Sequence, residues 1–242
     1  MIDQTTSLLE EALDAHGGHD RWRQFKGVAS TIITSGLLWD IKAANLIRTP
    51  RRATSEFRRQ WTRVTPFGDP DWTLDWTPEH VEITNGSGAI IAQRDNGRDA
   101  FDRSYIAPWD RLNLAYFNGY AMWTYHAAPM VFAEPGYEAR EIDPIAHNGE
   151  MLRGLSMRFP EGFHSHAREQ RFYFGSDGLL RRHDYEVEVW ANTPAAHLLS
   201  DYVDVGGLKF PRSRRVFARG PDGSPDWDAN LVNIDLSDYT LF

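Results

Sequence analysis

The sequence predicts an α+β fold: a large curved antiparallel β-sheet, a half-barrel meander, with an N-terminal helix and a central apolar helix packed on or in its concave face. Three observations predict it. Most of the chain falls into short runs that alternate apolar with polar residues and are cut by turn residues. One internal stretch, Trp109 to Ala128, is apolar around nearly the whole circumference of a helix. Near the middle of the second half, Gly175-Ser176-Asp177-Gly178 separates two strand-forming runs, its glycines supplying positive φ and Asp177 a local side-chain hydrogen bond. Glu169 to Trp190 is thus a hairpin, placed at the centre of the sheet.

In chain order, Ser7-Leu8-Leu9-Glu10 is a capping box. Leu8, Leu9, Ala12, Leu13 and Ala15 give one apolar stripe, and Gly17-Gly18 ends the helix. A further helical turn, Asp20 to Phe25, leads into strands expected at Val28 to Leu38, Ile41 to Ile47, Ala53 to Val64, Trp72 to Trp76, His80 to Thr84 and Ala89 to Gln93. Breaks fall at Pro50, Pro66 to Pro70, Pro78 and Asn85-Gly86. The helix Trp109 to Ala128 has a cap at Asp110 and stops before Pro129; buried on most faces, it is expected to plug or lid the curled sheet. Strands resume at Tyr137 to Ile142, Met151 to Phe159, Ala167 to Phe174, Leu179 to Trp190, His197 to Val205, Arg212 to Ala218 and Leu231 to Leu241. No composition shift or long linker divides the chain, so residues 1–242 are expected to form a single domain.

Composition narrows the function. Cysteine is absent, which removes disulfides, thiolate ligands and a cysteine nucleophile. The N-terminus carries acids where a secretory signal carries bases, and no run is long enough to span a bilayer, so a soluble, cytoplasmic protein without stable membrane insertion is expected. A formal net charge of -8 argues against nucleic acid as a partner. Aromatic residues make up 13% of the chain, nine of them tryptophan, which suits both a large core and a pocket for an apolar ligand.

The order of elements, a short N-terminal helix, a strand meander, a very apolar helix and a second meander, resembles the LolA/LolB-like fold of bacterial lipoprotein carriers. That resemblance implies an incomplete antiparallel barrel, closed by helices, whose interior holds acyl chains. Unlike those carriers the chain shows no export signal and no cysteine for lipid attachment, which points away from lipoprotein transfer and leaves the ligand-holding architecture. His16-Gly17-Gly18, Ala121 to Tyr125, and Phe172-Tyr173-Phe174 through Asp184-Tyr185 resemble a family of soluble bacterial proteins, a resemblance that implies no activity.

Candidate chemistry centres on the hairpin. If Phe174 lies opposite Leu179, then Gln170 faces His183 and Arg168 faces Tyr185, placing His166, Gln170, His183 and Tyr185 on the Phe172 face. On a concave surface these groups would orient a ligand or move a proton. A register slip of one residue would scatter them. The expected ligand-binding residues are Tyr116, Tyr120, Trp123, Gln170, Phe172 and Phe174; His166, His183 and Tyr185 would be catalytic if the protein is an enzyme. His164-Ser165-His166 has the spacing of two ligands on one strand face, yet Pro160 and Gly162 put His164 in a loop, so no metal and no cofactor are expected. His126 is expected to cap its helix, and His16 and His19 to sit in solvent.

No phosphate-binding loop, nucleophile elbow, zinc-protease motif or dinucleotide fingerprint occurs. The leading expectation is a binding protein that holds a hydrophobic or amphipathic small molecule in a half-barrel cavity, with homo-oligomers possible. The alternatives are a cofactor-independent enzyme of isomerase, cyclase or hydrolase type in the same cavity, and a protein-interaction scaffold using a sheet edge.

Overall fold

A computed structural model describes residues 7–43 and 48–242. Its centre is one 13-stranded sheet, every neighbouring pair antiparallel, in the order β6-β5-β4-β3-β2-β1-β13-β12-β11-β10-β9-β8-β7. The strands are β1 (Gly27–Ser35), β2 (Arg51–Glu56), β3 (Thr62–Thr65), β4 (Thr73–Trp76), β5 (His80–Thr84), β6 (Ile90–Asp95), β7 (Glu138–His147), β8 (Glu150–Arg158), β9 (Glu169–Phe174), β10 (Leu180–Val187), β11 (Thr193–Val205), β12 (Leu208–Arg219) and β13 (Pro225–Leu241). Two meanders therefore spread from the central β1/β13 pair, and the sheet stays open, with β6 and β7 as its edges.

This topology explains the central helix α4 (Arg111–Ala127). The chain leaves the sheet at edge strand β6 and re-enters at the opposite edge, β7, so the connection must cross a face. A buried crossing has to satisfy its own backbone groups, which a helix does. Seventeen residues span roughly 25 Å at about 1.5 Å each. Asp110 caps the first turn by accepting from the backbone N–H of Leu112 and Asn113 at 2.9 and 2.7 Å. Every residue from Leu112 to Ala127 is buried, so the all-round apolar helix of the sequence is buried on all sides in the fold. Gly119 permits the closest approach: a Cβ there would stand 2.1 Å from Cγ of Trp76 on β4.

The N-terminal helix α1 (Leu8–Ala15) has its capping box as expected, and α2 (His19–Trp22) follows. His16 is buried between them rather than solvated. Its Nδ1 donates to the Ala12 carbonyl at 2.7 Å and its Nε2 accepts from the Leu180 N–H at 3.4 Å, tying α1 to β10. His19 is half-buried against Glu134 at 2.9 Å.

Besides β7, β11, β12 and β13, which run four to six residues past their expected bounds, three stretches differ in kind from the expected strands. The first strand stops at Ser35, because Gly36 adopts φ +120 and approaches the Leu231 carbonyl so closely that a Cβ would lie 2.4 Å from its oxygen; α3 (Leu37–Ile41) begins there. Ile41 ends that helix instead of opening a strand, and Ala44 to Ile47 lie outside the described residues. The expected single strand Ala53 to Val64 is the β2/β3 hairpin, whose turn has no glycine or proline; it is held by buried Phe57 and by Arg58 donating to the Arg23 and Phe25 carbonyls. The hairpin register also moves: Phe172 pairs with His183 and Phe174 with Leu180, with an irregularity between Leu180 and Arg182. Through β9 and β10 the shift amounts to two residues, which preserves the face.

Candidate functional site

A cavity lies between α4, α3 and the concave side of the sheet. It is lined mainly by apolar groups, among them Ile32, Leu38, Trp39, Met122, Trp190 and Val216, with Thr34, Asn118, Tyr125, His166 and Tyr185 as its polar rim. Its volume is about 30 Å³. That accommodates roughly two waters at about 10–15 Å³ each, so the chamber is a slit in a closely packed interior. The α3 segment closes one end. Lys42, directly after α3, donates from Nζ to the Ser104 and Ala107 carbonyls at 2.7 and 3.0 Å and lies over the rings of Trp109 and Trp190.

At the cavity wall, the Tyr125 hydroxyl meets His166 Nε2 at 2.9 Å and the Tyr185 hydroxyl at 3.1 Å. Tyr120 reaches the other ring nitrogen of His166 at 3.4 Å. The His166 ring stacks on Tyr185, centroids 4.0 Å apart and 5° from parallel. A consistent proton assignment has Tyr185 donating to Tyr125, Tyr125 to Nε2 of neutral His166, and Nδ1–H to Tyr120. Deeper in, Gln170 donates from Nε2 to Ser165 Oγ and the Ala167 carbonyl, which fixes its amide and makes Oε1 the acceptor for His183 Nε2 at 2.7 Å. His183 also stacks on Phe172 at 4.1 Å.

Burial keeps these rings uncharged. It pulls His166 down to about 3, with Arg98 adding to the effect, and it pulls His183 and His197 well below the usual imidazole value. Burial also pushes Tyr125 up to about 12 and raises Tyr120 and Tyr185 well above the usual phenol value. Near neutral pH the cluster is a set of neutral hydrogen-bonding dipoles, suited to orienting a ligand and poorly suited to taking up a proton.

The expected residues divide between cavity wall and surrounding core. His166, Gln170, His183 and Tyr185 do share the Phe172 side and are all buried, and of these His166 and Tyr185 border the cavity. Tyr116 turns away to His164 and Trp76, Trp123 donates to the Glu56 and Arg59 carbonyls at 2.7 Å each, and Phe172 and Phe174 are core residues. His164 and His166 point to different partners, Tyr116 and Tyr125. His126 does not cap its helix: it sits between Ser30 Oγ and Ser55 Oγ at 2.9 and 3.0 Å, pinning α4 to β1 and β2. Burial is the main cause holding this ring near 3.

Sequence reasoning missed Tyr125, His197, Arg51 and Arg214. Period-two alternation carried a signal for the last two, since Arg51 shares its face with Ala53 and Ser55, and Arg214 with Val216 and Phe210. His197 pairs directly with His183 across β10 and β11.

An open antiparallel half-barrel filled by one buried helix is the architecture of LolA-like proteins, and the chain has that fold. No protein-family model matches the sequence, and no curated protein does. Among solved structures it is similar to a DUF1329 family protein from Desulfovibrio piger (TM-score 0.56, 11% identity, covering 98% of this chain and 94% of that one). It is also similar to an outer membrane lipoprotein-sorting protein domain from Vibrio parahaemolyticus (0.54, 10%, 96% and 93%). A third similar structure is a LolA superfamily protein from Nitrosomonas europaea (0.52, 11%, 98% and 94%). At these identities the likeness is one of fold. Among the described residues no helix is long and apolar enough to cross a membrane.

Proposed function

We propose that this protein binds a hydrophobic or amphipathic small molecule between α4 and the concave face of the sheet. The observation that carries the reading is the pairing of a helix buried on every face with an apolar cavity left beneath it. The similar structure described as a lipoprotein-sorting protein domain supports the reading. The slit is small, so a ligand enters by parting its walls; Met122, with its flexible thioether, and the five-residue α3 are the parts that yield. The cytoplasmic location expected from the sequence draws no support from these neighbours.

Native mass spectrometry and organic extraction of protein purified from its host test the reading. A non-covalent adduct is expected, and it should disappear in Ala195→Leu, which fills the cavity from β11. Bare protein mass and an empty extract from the wild type would sink the proposal.

One observation favours a second reading, a cofactor-independent enzyme. The side chains of His166, Tyr125 and Tyr185 form a hydrogen-bonded chain at the cavity wall, able to orient and polarise a bound molecule through neutral hydrogen bonds. His183 then acts behind that wall by positioning Gln170. Turnover of an extracted ligand that is lost in Tyr125→Phe with binding intact would select this reading.

The scaffold alternative fits the edges less well. Edge strand β7 carries Glu138, Arg140, Glu141, Asp143 and Pro144, with an irregularity between Ile142 and Ile145, all of which discourage strand addition.

A further inference from the structure

We propose that the ligand is a monocarboxylic amphiphile whose carboxylate is held by Arg51, with its chain in the apolar cavity; the proposal rests on the binding reading above. Arg51, on β2, is 1% exposed, yet among the described residues its hydrogen bonds go to neutral acceptors: Nη1 donates to Asn118 Oδ1 at 3.1 Å and Nη2 to Thr34 Oγ1 at 3.0 Å. Among the same residues its Nε has no partner. Both acceptors line the cavity.

Arg214, on β12, repeats the pattern. It is 3% exposed, donates to the Tyr125 carbonyl at 2.6 Å and approaches His197 Nε2 at 3.5 Å, and its Nε is again unpartnered. Among the described residues neither guanidinium has a carboxylate beside it. Elsewhere the chain does pair a buried arginine: Arg182, 4% exposed, holds Asp184 through two hydrogen bonds at 2.7 and 2.8 Å. A buried cation without a counter-charge is costly. Neither arginine lines the cavity itself, but each donates to residues that do, which puts both charges one contact behind its wall, where a ligand's anion would offset that cost.

Register places the pair on either side of that cavity. Arg51 is opposite Ile32 on β1, Arg214 is opposite Ile234 on β13, and Ile234 is opposite Thr34 on β1. Ile32, Thr34 and Ile234 all belong to the cavity wall. The Arg51 side chain thus approaches from β2 and Arg214 from β12, three strand spacings or roughly 14 Å apart across the sheet. The fork formed by Nε and Nη of Arg51 matches a carboxylate, a planar monoanion that one guanidinium neutralises. Burial without an acidic neighbour draws Arg51 down to about 9, so it is still charged near neutral pH and would gain by acquiring an anion.

Isothermal titration of the wild type with octanoate and with 1-octanol tests the assignment, with hexanoate to dodecanoate as a length series against the corresponding alcohols. Octanoate is expected to bind roughly 10- to 150-fold more tightly than the alcohol, the range for a hydrogen bond to a charged group. In Arg51→Met that preference should vanish while octanol affinity stays unchanged, and Arg51→Lys should restore part of it. The ligand-free melting temperature of Arg51→Met is expected at or above the wild-type value, since an unpaired buried charge is replaced by an apolar chain of similar length. Equal affinity for acid and alcohol in the wild type would overturn the headgroup assignment and leave the cavity reading intact. Failure of every acid and alcohol to bind would overturn both. Because the wild-type comparison needs no variant, it decides the matter even if Arg51→Met does not fold.

Discussion

At the scale of single residues, the interior is defined by contacts that have no slack. Gly119 faces Trp76 so closely that even a methyl group has no room. Gly119→Ala should therefore destabilise the protein by about 1–3 kcal/mol through overpacking, despite a helix-propensity gain of about 1 kcal/mol, and urea denaturation would measure it. A stability at or above wild type would mean that α4 can lift from β4 at little cost. Gln170 is equally constrained: replacing it with leucine leaves the buried His183 Nε2–H without its acceptor. A loss of about 1–3 kcal/mol is expected in the same assay, with no change if a water substitutes. These residues were legible to different degrees. Alternation brought Gln170, His183 and Tyr185 to one face, and it survived a register error because two residues is a full strand period, whereas His166 reaches the same side from the loop ahead of β9. Tyr125 was not legible, because a helix buried on every face gives no periodic cue to which of its aromatic residues meets the hairpin.

At the scale of elements, α3 and α4 decide what the concave face can do. The identity of α4 was plain in its composition, whereas α3 was split between the end of one expected strand at Leu38 and the start of the next at Ile41, because Leu37 to Ile41 is short, apolar and without a side-chain cap. What turns the chain there is Gly36, whose positive φ and contact with the Leu231 backbone depend on a strand 195 positions away in sequence. Gly36→Ala should cost about 1–3 kcal/mol and loosen the α3 end of the cavity. The expected result is a lower melting temperature together with faster amide exchange across Leu37 to Ile41; unchanged exchange would show that α3 is held by Trp39 and Lys42 alone.

At the scale of the whole molecule, five buried histidines link stability to pH. Burial holds His16 near 4 and His126 and His166 near 3, against 6.5 for a free imidazole, and sets His183 and His197 well below that value. Between pH 6.5 and about 4 the unfolded chain binds protons that the folded chain refuses. Stability is therefore complete above that window and falls as the pH drops through it, by up to about 1.4 kcal/mol per pH unit for each ring. Urea midpoints should decline steeply from pH 7 to pH 5; a flat profile would show that the rings are solvated or already charged. The class of fold, the buried central helix and the polar face of the hairpin are legible in the chain's own residues, because side-chain periodicity and composition are local properties. The pairing of β1 with β13, the closing of the cavity to a slit and the meeting of Arg51 with Asn118 and Thr34 arise in the folded molecule. Those depend on which strands become neighbours, and neighbours so far apart along the chain leave no local mark.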